Sequence, residues 1–355
     1  MNLIRAADRY IIMLTIREYT AQSKDVWSNF VARCPDSNIG HRIEWKEVME
    51  ESFGRRTRYL LALDGDEIRG ILPLVMVRTF WGAKALVSMP WIDYGGVCAI
   101  DDAGTGMLLQ KAREIAEQEK AGFIELRSVQ ARDKNLADRH DKVTFLLDTN
   151  RSPETIWKEF NAKLRNQIRK AHKSGLSTEF TGVEGLDRFY KVFCRNMRDL
   201  GTPVWGRNCF EKVLTAFGKD ARLILVAKGS KTIAGGVVLS FKDRVYVPWA
   251  SAIRDWIKYC PNHALYWAVI KDTSEKGYDY FDFGRSTIDS NTFRFKKHWV
   301  PVPQQLNWQY YLRTAKDIPS ISPDNPAFKI FVKLWQRLPL PIANYFGPKV
   351  NKMLP

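Results

Sequence analysis

Trp157–Lys173, WKEFNAKLRNQIRKAHK, is the run from which the rest of the chain is best read. At helical period Ile156, Phe160, Leu164 and Ile168 fall four apart and form one apolar face. Arg165, Arg169 and Lys173 repeat at the same spacing beside that face, with Lys163 and Lys170 a step further round. Glu159 is the only acid in the run. Like charges four residues apart cost an isolated helix about 0.2–0.5 kcal/mol per pair. A solvated basic face is one reading. The favoured one is a phosphate clamp, because the arginines flank the buried stripe and a guanidinium fork matches phosphate geometry.

The whole chain shares that bias. Its 355 residues carry a formal net charge of +16, which points to a polyanionic partner: nucleic acid, an anionic membrane surface or a phosphorylated substrate. The length allows two domains. Twelve tryptophans require large buried or interfacial surfaces. Cys34, Cys98, Cys194, Cys209 and Cys260 are scattered and never form C-x-x-C, so a disulfide framework or zinc site is not expected and a reducing compartment fits. Ile11–Ile16 is too short to span a membrane and reads as a first strand, with Met1 or Met13 as the start. A cytoplasmic protein, soluble or peripheral on the membrane, is expected.

Outward from the basic run, two halves show the same order of elements. In the first, helices over Asp25–Cys34 and His41–Phe53 precede a hairpin, Arg58–Ala62 with Ile68–Arg78. A strand Ala85–Met89, the segment WIDYGG (Trp91–Gly96), a helix Gly106–Lys120 and strands Phe123–Arg127 and Val143–Leu147 follow. In the second, Ser152-Pro153-Glu154 opens the basic helix as N-cap, N1 proline and first-turn acid. Helices Leu186–Gly201 and Asn208–Phe217 then precede a hairpin, Arg222–Lys228 with Thr232–Phe241. A strand Arg244–Ala252, bulged or at an edge at Pro248, is followed by a helix Asn262–Lys276 and strands Tyr278–Phe283 and Gln305–Leu312. A duplicated α+β unit is predicted. The divisions are 13–150, 151–315 and a tail, 316–355. In the tail Phe331, Leu334, Trp335 and Leu338 share one helical face opposite Lys329, Lys333 and Arg337. That is the pattern of an interfacial membrane helix, or of a helix packed on the protein.

No G-x-S-x-G, P-loop, dinucleotide or zinc motif is present, and no metal or cofactor is called for. Three polar clusters remain in the second half. NMRDLGTP (Asn196–Pro203) contains Arg198; YFDFGRS (Tyr280–Ser286) delivers Asp282 and Arg285; TFRFKKHW (Thr292–Trp299) alternates aromatic and basic residues and contains Lys296 and Lys297. The last reads as an extended segment presenting cations to phosphate or stacking on a base.

These pieces, with LRNQIRKAHKSGL (Leu164–Leu176), FYKVFCRNMRDLGTP (Phe189–Pro203), WIDYGG and the closing LWQRLPLPIANYFGP (Leu334–Pro348), resemble the FemAB family, aminoacyltransferases that build peptidoglycan cross-bridges. They resemble more closely the FemAB-like proteins encoded with exosortase (PEP-CTERM) and exopolysaccharide systems. The resemblance implies two GNAT-like domains, whose last strands can return to complete the first. It implies that Arg165 and Arg169, with Lys46 from the first half, hold a precursor's diphosphate, and that Lys296 lies near the reacting centre. It implies aminoacyl-tRNA as donor. The spaced glycines of a GNAT pyrophosphate loop are absent between Ala252 and His263 (AIRDWIKYCPNH), which argues against a standard acetyl-CoA site.

The expected activity is therefore transfer of an aminoacyl or acyl group to an amine or hydroxyl of a phosphorylated sugar or lipid-linked precursor of the cell envelope or exopolysaccharide. Arg165, Arg169, Arg285, Arg198, Lys297 and Lys46 would bind substrate; Lys296 would stabilise charge; Asp282 or Asp93 would orient the nucleophile. The alternatives are an acetyl-CoA-dependent acetyltransferase, and a non-catalytic adaptor of a polysaccharide export system docked through the tail on anionic membrane.

Overall fold

The computed structural model describes residues 14–78, 82–319 and 326–351. Met13 and the start of the expected Ile11–Ile16 strand lie outside the described residues.

The first half runs β1 (Leu14–Glu18), α1 (Lys24–Arg33), α2 (Glu44–Glu47, widening into a π turn over Val48–Ser52), β2 (Thr57–Asp64), β3 (Glu67–Arg78), β4 (Lys84–Val87), β5 (Cys98–Ala99), α3 (Asp102–Glu119), β6 (Phe123–Ser128), β7 (Ala137–Arg139), β8 (Lys142–Thr144) and β9 (Leu146–Asp148). The second runs α4 (Pro153–Glu159), α5 (Ala162–Lys173), β10 (Leu176–Thr181), α6 (Leu186–Leu200), α7 (Arg207–Phe217), β11 (Ala221–Lys228), β12 (Lys231–Phe241), β13 (Arg244–Ala252), α8 (Pro261–Glu275), β14 (Tyr280–Asp282), β15 (Ser286–Thr287), α9 (Asn291–Lys297), β16 (Gln304–Gln305) and β17 (Asn307–Leu312). The tail forms α10 (Pro326–Arg337) and α11 (Leu340–Asn351).

The large sheets have the same plan. One is ordered β1-β2-β3-β4-β6-β17-β7 with β5 beside β3, the other β10-β11-β12-β13-β14-β9. In each, a four-strand antiparallel meander meets one parallel neighbour, β4 with β6 and β13 with β14. In each, that neighbour then pairs antiparallel with a strand from the other half of the chain, β6 with β17 and β14 with β9. The division at 150/151 therefore does not separate the sheets: the halves exchange their last strands. The single strand expected over Val143–Leu147 is for the same reason two. The chain leaves the small sheet β15-β8-β16 at Thr144 and enters the second large sheet at Leu146, turning at the fully buried Phe145.

Side-chain alternation in the strands builds the layers. Leu60, Ala62, Leu72 and Leu74 face α3. Tyr59, Leu61, Ile71 and Val75 face the other way, and share one core with α6, α7 and Leu223, Leu225, Val237 and Leu239 of the second sheet. Ile224, Val226, Val238 and Val245 face α5 and α8. The middle core thus belongs to both sheets. It holds much of the tryptophan: Trp91 lies 6.3 Å from Trp205, and Trp249 lies 5.1 Å from Trp205 and 6.3 Å from Trp45. Pro248 sits in a central strand and is absorbed by a register shift opposite Val237–Leu239, the bulge alternative.

Three local expectations are corrected. The basic helix is two helices: Phe160 is extended and buried against Trp267 and Trp299, and Asn161 starts α5 by accepting a hydrogen bond from Leu164 N at 2.9 Å. TFRFKKHW is helical, not extended. Ser290 caps α9 through Phe293 N at 3.1 Å, and Phe293 and Lys296, three apart, are its buried pair. The tail packs on α6: Trp335 is buried and Gln336 donates to Asp199 O at 3.2 Å, but Leu334, expected on the same face as Trp335, is exposed.

Candidate active site

The site forms where the WIDYGG loop of the first half meets the exit of β14. The loop is held in an unfavourable backbone shape. Met89 (φ 54°) and Trp91 (φ 66°) lie in the left-handed region, which costs about 1–3 kcal/mol per non-glycine residue. Packing holds it there. Trp91 stacks on Phe53 at 4.3 Å, and a side chain at Gly40 would run into the Tyr94 carbonyl. His41 is fully buried. Its Nδ1 accepts from Asn38 N at 3.0 Å, so Nε2–H donates to Gly96 O at 2.9 Å. Burial lowers its pKa to about 4, keeping it neutral as a strut of the loop.

The loop delivers Asp93 and Tyr94 across the seam. Tyr94 OH donates to Asp282 Oδ2 at 2.6 Å. Asp282 Oδ1 accepts from Thr144 Oγ1 and Gly284 N, both at 2.7 Å. Asp282 is fully buried, which raises its pKa against the pull of these three donors. Its acceptor capacity goes into joining β8, β14 and the WIDYGG loop. Gly284 (φ 71°) turns the chain at this point, and a Cβ there would lie 2.9 Å from Asp93 Oδ2.

That turn aims two groups at the seam. Arg285 N donates to Asp93 Oδ2 at 2.8 Å and its Nε to Oδ1 at 3.1 Å. The guanidinium is exposed and lies 5.0 Å from the centre of the Trp308 ring, which Arg127 approaches at 4.4 Å. Lys296 reaches the same turn from α9. Its Nζ donates to Gly284 O at 2.8 Å and Arg285 O at 2.9 Å. Only 7% of the residue is exposed, and burial brings its pKa down to about 8, partly opposed by Asp93 and Asp282. At neutral pH it is an ammonium with two N–H groups fixed; the third has no acceptor among the described residues.

Asp93, Asp282, Arg285 and Lys296 are thus one cluster. The other expected residues lie apart from it. Arg165 donates to Lys158 O at 2.9 Å, and Arg169 lies over Trp157 at 5.4 Å, so both turn toward α4. Arg198 is taken up by Asp199 and by Leu338 O at the end of α10. Lys46 pairs with Glu50 and lies over Tyr19. Lys297 is exposed beside Phe293. Sequence reasoning missed Thr144 and Trp308, which carry no local signal: Trp308 reaches the site on the exchanged strand β17 and Thr144 on β8 of the small sheet.

A small cavity of about 20 Å³ lies on the seam itself, among Ile92, Asp93, Tyr94, Tyr246 and Gly284, and two larger ones lie off it. One, of about 230 Å³, lies beside His41, Ser128, Arg132, Arg244 and Tyr246. The other, of about 390 Å³, lies at the start of α8 among Lys163, Gln167, Asn262, His263 and His298. Lys163 and Gln167 occupy the flank of α5 opposite Arg165 and Arg169, so the basic helix does line a cavity, with different residues.

Comparison with known proteins fits this architecture. Residues 158–297 match the acetyltransferase (GNAT) domain. No curated protein matches the chain significantly. Among solved structures, FemX is 16% identical, with a TM-score of 0.60, covering 84% of this chain and 98% of its own. The C-terminal domain of a putative lysylphosphatidylglycerol synthetase from Agrobacterium fabrum is 13% identical at TM-score 0.55, covering 82% and 92%. A tandem GNAT protein from the clavulanic acid biosynthesis pathway is 12% identical at TM-score 0.52, covering 84% and 97%. The fold is therefore α+β, two tandem GNAT-like domains with mixed sheets flanked by helices.

Proposed function

We propose that the protein is a FemAB-like acyltransferase. It moves an aminoacyl or acyl group from an activated ester or thioester to an amine or hydroxyl of a phosphorylated cell-envelope or exopolysaccharide precursor. One observation carries the reading: a buried ammonium, Lys296, is fixed by two carbonyls of a glycine turn beside Asp93 and Arg285, on the seam of a tandem GNAT-like fold. Attack on the acyl carbon forms a C–N or C–O bond and places negative charge on the carbonyl oxygen. Collapse of that intermediate breaks the bond to the donor's oxygen or sulfur, which departs with the proton that the attacking amine or hydroxyl gives up. The free N–H of Lys296 stabilises the oxyanion, and its rigid hold avoids reorganisation during reaction. Arg285 holds a phosphate of the acceptor while Asp93 fixes its guanidinium. Asp282 positions the turn and does not touch substrate. Arg165, Arg169 and Lys297 raise the local concentration of anionic substrate. Arg198 and Lys46, engaged elsewhere, drop out of the binding set.

Transfer of a radiolabelled aminoacyl group from charged tRNA to lipid-linked and nucleotide-linked precursors tests the reading. Turnover lost in Lys296→Ala with precursor binding retained supports it; transfer unchanged by that substitution overturns it. A second reading, acetyl transfer from acetyl-CoA, is favoured by the GNAT match over 158–297 and by the cavity at the start of α8. Its mark is a rise in melting temperature with acetyl-CoA beyond that with pyrophosphate.

A further inference from the structure

We propose that the outer face of α10 and α11 is a docking surface for an anionic phospholipid bilayer. The inner face is already spoken for. Trp335, Ala343 and Gly347 are buried, Arg198 Nη1 donates to Leu338 O at 3.2 Å, and Asn351 Nδ2 donates to Pro203 O at 3.2 Å. Gly201 ends α6 with φ 77°, and a Cβ there would lie 2.5 Å from Val332. The two helices are thus fixed on the body, and their opposite side faces solvent.

That side is apolar where a solvated helix would be polar. Ile330 is 58% exposed, Leu334 60%, Tyr345 63% and Phe346 48%. Ile330 and Leu334 are four apart on α10; Ile342, Tyr345 and Phe346 lie on one face of α11 at helical spacing. Exposed Lys333 and Arg337 border the first group, and Lys349 lies 3.9 Å from the centre of the Tyr345 ring. No Asp or Glu occurs from residue 325 to the end of the sequence. Aliphatic and aromatic side chains rimmed by cations without acids match a layer that is apolar inside and anionic at its surface. A second copy of this face would bring its own cations against these. The inference does not rest on the acyl-transfer reading.

Flotation of the full chain with vesicles of equal parts phosphatidylglycerol and phosphatidylcholine, against phosphatidylcholine alone, tests it. The expected preference for the mixed vesicles is about tenfold or more, since each basic residue near the surface contributes. The triple variant Leu334→Glu, Tyr345→Glu, Phe346→Glu changes exposed side chains only, so it is expected to keep its melting temperature and lose binding to both vesicles. Lys333→Glu with Arg337→Glu is expected to lose the preference for anionic lipid. Equal binding to both vesicles by the unaltered chain overturns the proposal. So does binding that survives the triple variant, which would mark a general polyanion surface. A dimer in analytical ultracentrifugation that the triple variant dissociates would assign the face to a second copy.

Discussion

The exit of β14 and the helix α5 are both basic segments of the second half, and their charges have opposite surroundings. Lys296 is buried, with two of its N–H groups fixed on carbonyls, and Arg285 is held by Asp93 on the rim. On α5, Lys163, Arg169, Lys170 and Lys173 are exposed and Arg165 is half-buried; the side-chain bonds of Arg165 and Arg169 run to α4 or within α5. Burying a lysine is costly, so a fold that does so and still gives it fixed partners has placed a charge at one point. Exposed cations on long side chains supply a field rather than a position, and salt screens it. If the chemistry sits at Lys296, density of positive charge, the most visible property of this sequence, does not locate it.

The largest expected break in that comparison is Lys296→Ala. Removing one preorganised donor to an oxyanion costs about 10²–10³ in kcat. KM is expected to change little, and steady-state kinetics separates the two. The pH profile gives the sign independently. If the ammonium is the working form, the rate falls as pH rises through about 8, where Lys296 loses its proton. The folded chain gives up this proton more readily than the unfolded one, whose lysine titrates at the ordinary higher value. Between the two the unfolded state binds more protons, so stability rises with pH while activity falls. A rate that rises through pH 8 would make Lys296 a base or nucleophile and break the assignment.

Next in size are the substitutions that disturb the turn without removing the lysine. Gly284→Ala places a side chain at φ 71° and against Asp93, for a loss of about 1–2 kcal/mol from the backbone alone. Asp282→Asn leaves a single oxygen facing three donors, for about 1–3 kcal/mol. Chemical unfolding reads both. Each is expected to lower kcat as well, because both move the carbonyls that hold Lys296.

The same contrast explains what the sequence disclosed. Strand and helix periods mark the repeated order of elements, because each half has buried strands and amphipathic helices of ordinary length. The exchange of β9 and β17 is invisible locally: LLD and NWQYYL read as strands whichever sheet they join. Thr144 and Trp308 are brought to the seam only by that exchange and its neighbouring small sheet. The misread segments failed through their period. Phe293, Phe295 and Trp299 suggest alternation by two, whereas Phe293 and Lys296, three apart, form the buried side of a short helix. In WKEFNAKL the apolar face continues across Phe160 because that ring stays buried even where the backbone leaves the helix. Asp93, Asp282, Arg285 and Lys296 were legible one by one, since each sits in a polar segment that the core does not explain. Their convergence was not legible: the family resemblance implied only Lys296 near a reacting centre, in the company of Arg165, Arg169 and Lys46.

The smallest expected effect tests α5 itself. Arg165→Ala combined with Arg169→Ala removes two cations that the structure turns toward α4. If they act as a field, KM for an anionic precursor rises by about 3–10-fold at low ionic strength, kcat stays put, and the difference shrinks as salt is added. A KM defect that persists at high salt would mean that the substrate reaches over α4 and meets the arginines directly. In that case the expected diphosphate clamp stands, and the binding surface runs from the β14 turn to the far flank of α5. Lys163→Ala is the companion measurement, because it alters the flank of the same helix that lines the cavity at α8. A larger defect there than in the double arginine variant would place the anion site at the start of α8, with the arginines acting only at a distance.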